Sequence, residues 1–185
     1  IFMAAPTFMP PQSSQSLQPG KTGSAKLVNF TENTSKMNNN RHDDNYFMRQ
    51  ALKEAHAAAE KGEVPIGAVV VCDGAVIARG HNLVECLGDA TAHAEMQAIT
   101  SAAAAIGGKY LEGCTLYVTV EPCPMCAAAC YWARPERIVY GASDPKRGYT
   151  TVSNKMLHPR TSVTSGVEKE ECERLMSEFF KGLRR

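Results

Sequence analysis

Ile66-Gly67-Ala68-Val69-Val70-Val71-Cys72-Asp73-Gly74-Ala75-Val76-Ile77-Ala78-Arg79-Gly80 is the stretch on which the reading of the fold turns. Residues 66–71 form a continuous apolar run, too short for a core helix and rich in β-branched valine. Asp73-Gly74 is a two-residue hairpin turn signal, and residues 75–80 are the returning strand. Ahead of the hairpin, Asp43 or Asp44 can cap a helix that runs through Lys61 and stops at Gly62. Its apolar positions Phe47, Met48, Ala51, Leu52, Ala55, Ala58 and Ala59 share one face.

After the hairpin, a loop is expected over residues 82–90. Thr91 is expected to cap a helix through Ile106, ended by Gly107-Gly108. A strand at 116–120, a helix from Cys123 or Pro124 to Ala133 and a strand at 138–140 follow. Residues 141–160 read as loop and 161–165 as a last strand. The last helix covers 168–181, with Leu175, Met176, Phe179 and Phe180 as its apolar face. A hairpin followed by helix–strand alternation predicts an α/β fold: a central mixed sheet with helices on both faces.

Residues 1–43 are compositionally different. Ser, Thr, Gln, Asn, Pro and Gly dominate, without apolar periodicity, which predicts a disordered N-terminal tail ahead of one domain over 44–185. Pro19-Gly20-Lys21-Thr22 lacks the earlier glycine of a phosphate loop, because position 15 is Gln15. Pro6, Pro10 and Pro11 interrupt the apolar start, and no basic region precedes it, so a signal peptide is not expected. Met37, just before the first helix, is the candidate translation start.

The 185 residues carry a net charge of +1, so any nucleic-acid surface must be a local patch. No apolar run approaches the roughly 20 residues that span a bilayer, so no membrane role is expected. The seven cysteines are odd in number and unevenly spaced. This argues against a secreted disulfide framework and for a reducing, cytoplasmic setting. Cys72, Cys86, Cys114 and Cys172 read as small buried hydrophobes, and Cys130 as a packing residue.

Two fragments carry chemistry: Thr91-Ala92-His93-Ala94-Glu95 and Glu121-Pro122-Cys123-Pro124-Met125-Cys126. A Cys-x-x-Cys pair opening a helix puts two sulfurs on one side of its first turn, where the helix N-terminus favours thiolate. His93, in the first turn of the preceding helix, adds an imidazole. Three such ligands suit one Zn²⁺ with an open fourth position, the pattern of a catalytic rather than a structural site. Glu95 reads as the proton carrier beside the metal. Taken singly, the Cys-x-x-Cys is also compatible with a redox pair or half of a structural site, and a lone His-x-Glu occurs by chance.

In this order the fragments match the His-x-Glu, then Pro-Cys-x-x-Cys signature of zinc nucleobase deaminases, for which the tRNA adenosine deaminases are a standard example. The chain resembles those bacterial tRNA adenosine deaminases from about Asn45 onward, including Thr-Leu-Tyr-Val-Thr (115–119), Val-Tyr-Gly-Ala-Ser-Asp-Pro-Lys (139–146) and Ser-Gly-Val (165–167). The resemblance implies a three-layer α/β/α cytidine-deaminase-like fold, a homodimer, one zinc per chain and conversion of the wobble adenosine of a tRNA anticodon stem-loop to inosine. It also places Asn82 where that family keeps a base-reading amide; an Asx turn after His81 is the other reading.

Basic residues over 134–160, among them Lys146 and Arg147, and the C-terminal Arg184 and Arg185 are expected to hold RNA phosphates. Tyr131-Trp132-Ala133-Arg134 resembles guanine deaminases, which keeps a free-base deaminase (guanine first, cytosine second) as the alternative. A zinc-bearing RNA-binding module without catalysis would have no use for Glu95.

Overall fold

The computed structural model describes residues 42–183. The tail expected over residues 1–43 lies outside the described residues except for its last two. Of these, His42 stacks on Tyr46 with ring centroids 3.6 Å apart. Asp43 caps the first helix, α1 (Asp44–Glu60), accepting a hydrogen bond from the Tyr46 amide at 2.8 Å.

The hairpin forms as β1 (Gly67–Cys72) and β2 (Ala75–His81). Asp73 and Gly74 both take positive φ, 50° and 75°, the conformation a two-residue turn needs to match the twist of its strands. A one-turn helix, α2 (Val84–Leu87), lies within the expected loop. Then come α3 (Ala94–Ile106), β3 (Cys114–Val120), α4 (Pro124–Ala133), β4 (Arg137–Ala142), a 3₁₀ turn at Tyr149–Thr151, β5 (Ser162–Ser165) and α5 (Lys169–Gly182). The sheet order is β2-β1-β3-β4-β5. β1 is antiparallel to β2 and β3, while β3, β4 and β5 run parallel, so the sheet is mixed as expected.

Alternation along the strands divides the core into two. Ala68, Val70, Leu116, Val118 and Ile138 point to the face covered by α3 and α4. Val69, Val71, Tyr117 and Val139 point to the other, covered by α1 and α5. This is the three-layer α/β/α arrangement. Across the second face, Arg137 on β4 donates to Asp44 Oδ2 at 2.6 Å and Tyr117 donates to Asp44 Oδ1 at 2.8 Å, tying the start of α1 to the sheet. Among the described residues no helix is long and apolar enough to cross a membrane.

Two expectations are corrected. Thr91 does not cap α3, because its amide and hydroxyl both bond to Asp89 Oδ1 in a local Asx turn; the N-cap is His93. The cysteines are also not all inert hydrophobes. Cys72 and Cys114 are cross-strand partners on β1 and β3 and form a disulfide, with Cα atoms 4.4 Å apart, and Cys86 is exposed. Cys130 and Cys172 are buried as expected.

Helices approach the hairpin where glycine removes a side chain. A Cβ on Gly67 would stand 2.1 Å from Ala51 O of α1, and one on Gly80 would stand 2.5 Å from Ala94 O of α3. Such overpacking against backbone costs about 1–3 kcal/mol or more. Gly67→Ala and Gly80→Ala should therefore each lower unfolding stability, measured by denaturant titration. Gly182→Ala, with open space around it, should be neutral or stabilising by at most about 1 kcal/mol.

Candidate active site

The site is built at one end of the sheet, where β2, β3 and β4 end and β1 begins. β2 leaves the sheet at His81, and the chain returns to start α3 with His93 at the N-cap. β3 ends at Val120, and Pro122 leads to Cys123 at the N-cap of α4, with Pro124 at its first position. Pro there presets the helical φ and gives up no needed donor. Cys126 follows on the same first turn. Small side chains along the two helices, Ala94, Ala98, Ala102, Ala127, Cys130 and Ala133, pack into one core, so their N-termini come together.

The result is a compact donor set. His93 Nδ1 is 3.6 Å from Cys123 Sγ and 3.5 Å from Cys126 Sγ. The donor atoms of His93, Cys123 and Cys126 all lie within 4.8 Å of one another, which makes them a group able to hold a metal ion. A hydrogen bond from the Cys126 thiol, helped by the His93 ring, holds Cys123 down at about 4. The same hydrogen bond, and then burial, push the Cys126 thiol up. Cys123 also raises the His93 ring. Two sulfurs and one imidazole nitrogen are the donors zinc prefers, and a divalent cation among them would favour the thiolate form of both cysteines.

Glu95 lies in the first turn of α3 and is 3% exposed. Burial is the main cause that pushes its carboxyl up to about 7. Among the described residues its Oε2 is the one buried side-chain polar atom without a hydrogen-bond partner. An orphaned carboxylate oxygen beside a three-donor cluster fits a metal that carries a water. The fit is therefore good on both donor chemistry and unmet hydrogen bonding.

A cleft of about 980 Å³ opens over these residues, lined also by Asn82, Glu63, Glu121, Lys146, Arg147 and the end of α5. Asn82 is buried, and its Nδ2 donates to Glu63 Oε2 at 3.0 Å. Glu121 accepts from Asp144 N, Thr150 N and Thr150 Oγ1, at 3.1, 3.1 and 2.7 Å. That fastens the 143–151 loop to the cleft. Gly148 is needed there, since a Cβ on it would lie 2.3 Å from Glu121 Cδ. On this loop Lys146 and Arg147 are exposed, with both amides donating to Asp144 Oδ1.

Other basic residues of the expected footprint are placed elsewhere. Arg137 is spent on Asp44 and Thr164. Arg160 pairs with Glu112 at 3.8 Å and is not among the residues that line the cleft. Arg184 and Arg185 lie outside the described residues. The sequence reading passed over Glu63; the signal was a lone acid set between the helix-ending Gly62 and the apolar Val64-Pro65-Ile66.

Residues 41–142 match the family described as the cytidine and deoxycytidylate deaminase zinc-binding region. Among curated proteins, the chain is 51% identical over 147 residues to the tRNA-specific adenosine deaminase of Bacillus subtilis, covering 77% of this chain and 91% of that protein. It is 48% identical over 143 residues to that of Aquifex aeolicus, covering 75% and 95%. A solved structure from work on A-to-I editing by tRNA:A34 deaminases superimposes with a TM-score of 0.66 at 47% identity, over 70% of this chain and 98% of that one. Guanine deaminase from Bacillus subtilis superimposes less well, with a TM-score of 0.53 at 43% identity, over 55% and 66%. With the His/Cys/Cys group in place, the chain is a zinc enzyme with one ion per chain. It belongs to the tRNA-specific adenosine deaminases, within the zinc-binding cytidine and deoxycytidylate deaminase family.

Proposed function

We propose that this chain converts adenosine to inosine at the wobble position of a tRNA anticodon, with His93, Cys123 and Cys126 holding the zinc and Glu95 moving the protons. The observation that carries the chemistry is the buried, unpartnered Glu95 oxygen beside the three-donor cluster. The relatives' named activity supports the substrate.

Zinc, when bound, lowers the pKa of a water ligand toward about 7. Glu95 takes a proton from the attacking water and delivers it to a ring nitrogen of the base. It then carries the water's second proton to the departing amine, so that water and a C–NH₂ group become a carbonyl and ammonia. A carboxyl raised to about 7 by burial is matched to both tasks at neutral pH. The amide of Asn82 in the cleft wall reads the purine edge. A base must leave its stack to be reached, and an unpaired anticodon loop makes that step cheap. Lys146 and Arg147, which line the cleft, hold loop phosphates, and the sequence adds Arg184 and Arg185 as further phosphate-binding charges.

The protein is further proposed to act as a homodimer in the cytoplasm. Trp132, 71% exposed on α4 beside Tyr131, offers apolar surface that a second copy would cover.

Cys123→Ala and Cys126→Ala should each lose zinc, read by metal analysis of the purified variant, because each removes an anionic donor from a site with only three. Glu95→Gln should keep its zinc but lose about 10²–10⁴-fold in turnover, since an amide cannot accept and return the proton. Near-normal turnover of this variant would assign the protons to another group.

Ammonia release from an anticodon stem-loop, compared with free guanine and free cytosine, tests the substrate. The stem-loop should be turned over and the free bases left largely untouched, because they lack the remote contacts that position the reacting carbon. Deleting residues 181–185 should weaken RNA binding and flatten its salt dependence while zinc content stays constant. Efficient guanine deamination with the stem-loop ignored would overturn the tRNA assignment.

A further inference from the structure

Glu63 has no part in the chemistry above, yet it is 1% exposed and borders the cleft. Its placement follows from the end of α1. Gly62, at φ 76°, lets the chain close the helix with hydrogen bonds from Gly62 N to Ala59 O and from Glu63 N to Ala58 O, the Schellman pattern. This turns the next side chain inward, under the segment that follows β2. There Glu63 Oε1 accepts from Cys86 N at 2.7 Å, and Oε2 accepts from Asn82 Nδ2 at 3.0 Å. Asn82 N also donates to Ile66 O at 3.0 Å, so both the backbone and the side chain of Asn82 are tied to the 63–66 segment.

An asparagine amide can lie in two orientations that differ only in exchanging its oxygen and nitrogen. In water both are open to it. A carboxylate resolves the choice, because it only accepts, and an amide nitrogen is the one end of Asn82 that can face it. We propose that Glu63 is a positioning residue that fixes the orientation of the Asn82 amide, turning its carbonyl oxygen away from Glu63 and so setting which hydrogen-bonding edge of a base the cleft accepts. The inference rests on the reading of Asn82 as the base-reading group.

Glu63→Gln tests it with little other disturbance. The glutamine oxygen can keep the bond to Cys86 N, while its NH₂ group then faces Asn82, which must rotate to offer its oxygen. The amide is reversed with the loop still tied. The measurement is a double-mutant cycle of kcat and KM on the anticodon stem-loop with Glu63→Gln, Asn82→Ala and the pair, with zinc content and unfolding midpoint read alongside. Glu63→Gln should lower kcat/KM by about tenfold, the size of one misdirected hydrogen bond. In the Asn82→Ala background the same change should have almost no further effect, and zinc content should match wild type throughout.

Losses that multiply in the double variant would show that Glu63 acts independently of Asn82 and overturn the proposal, as would wild-type kinetics of Glu63→Gln. If Asn82→Ala alone is fully active, the base-reading role of Asn82 fails and the positioning role falls with it; an impaired Asn82→Ala with multiplying losses sinks only the latter. Should Glu63→Gln not fold, Glu63→Asp serves in the same cycle. It keeps the charge but withdraws the acceptor by one methylene, and it should likewise lose activity only when Asn82 is present.

Discussion

Two helix N-termini meet on one face of the sheet, and the active centre depends on their meeting. His93 and Cys123 each stand at an N-cap, so their side chains leave the chain just before the helical backbone begins. The unpaired amides and the dipole of a first turn favour negative charge, which suits a thiolate at Cys123. Bringing the two ends together requires α3 and α4 to pack closely, and the alanines along both helices allow it. Gly80 extends the same logic to the sheet, since α3 seats against the backbone of β2 at that point.

Three buried carboxylates surround the cleft, and their hydrogen bonding separates their roles. Glu121 is saturated by donors from the 143–151 loop and acts as its fastening. Glu63 is saturated by Cys86 N and Asn82 Nδ2. Glu95 alone keeps an oxygen without a partner. A buried acceptor left unmet is costly, commonly about 1–3 kcal/mol. Such a group persists where an incoming molecule can complete it, and this is the physical ground of the proton role proposed for Glu95.

Much of this was legible in local sequence. The hairpin followed from Asp73-Gly74 between apolar runs, and α1 from a period of 3.6 ending at Gly62. Cys123 and Cys126 on one turn, with His93 ahead of another helix, marked the three donors that the fold brings together. The local reading erred where two local signals competed. Thr91 has the composition of a cap, but Asp89 two residues earlier engaged it first, which shifted the helix start to His93.

What the sequence by itself determined is therefore the main elements and the candidate donor residues of the site, because turns, caps and i to i+3 spacing are properties of a few consecutive residues. The tertiary structure alone decided which distant groups share a hydrogen bond, an ion pair or a disulfide. Glu63 reaches Asn82 from 19 residues away, Arg137 reaches Asp44 from 93, and Cys72 reaches Cys114 from 42. It also withdrew Arg137 from the expected basic surface by giving it a partner. Such pairings arise from strand register and from the way helices seat on the sheet. Those are settled by the packing of the whole core, and no short window of residues encodes them.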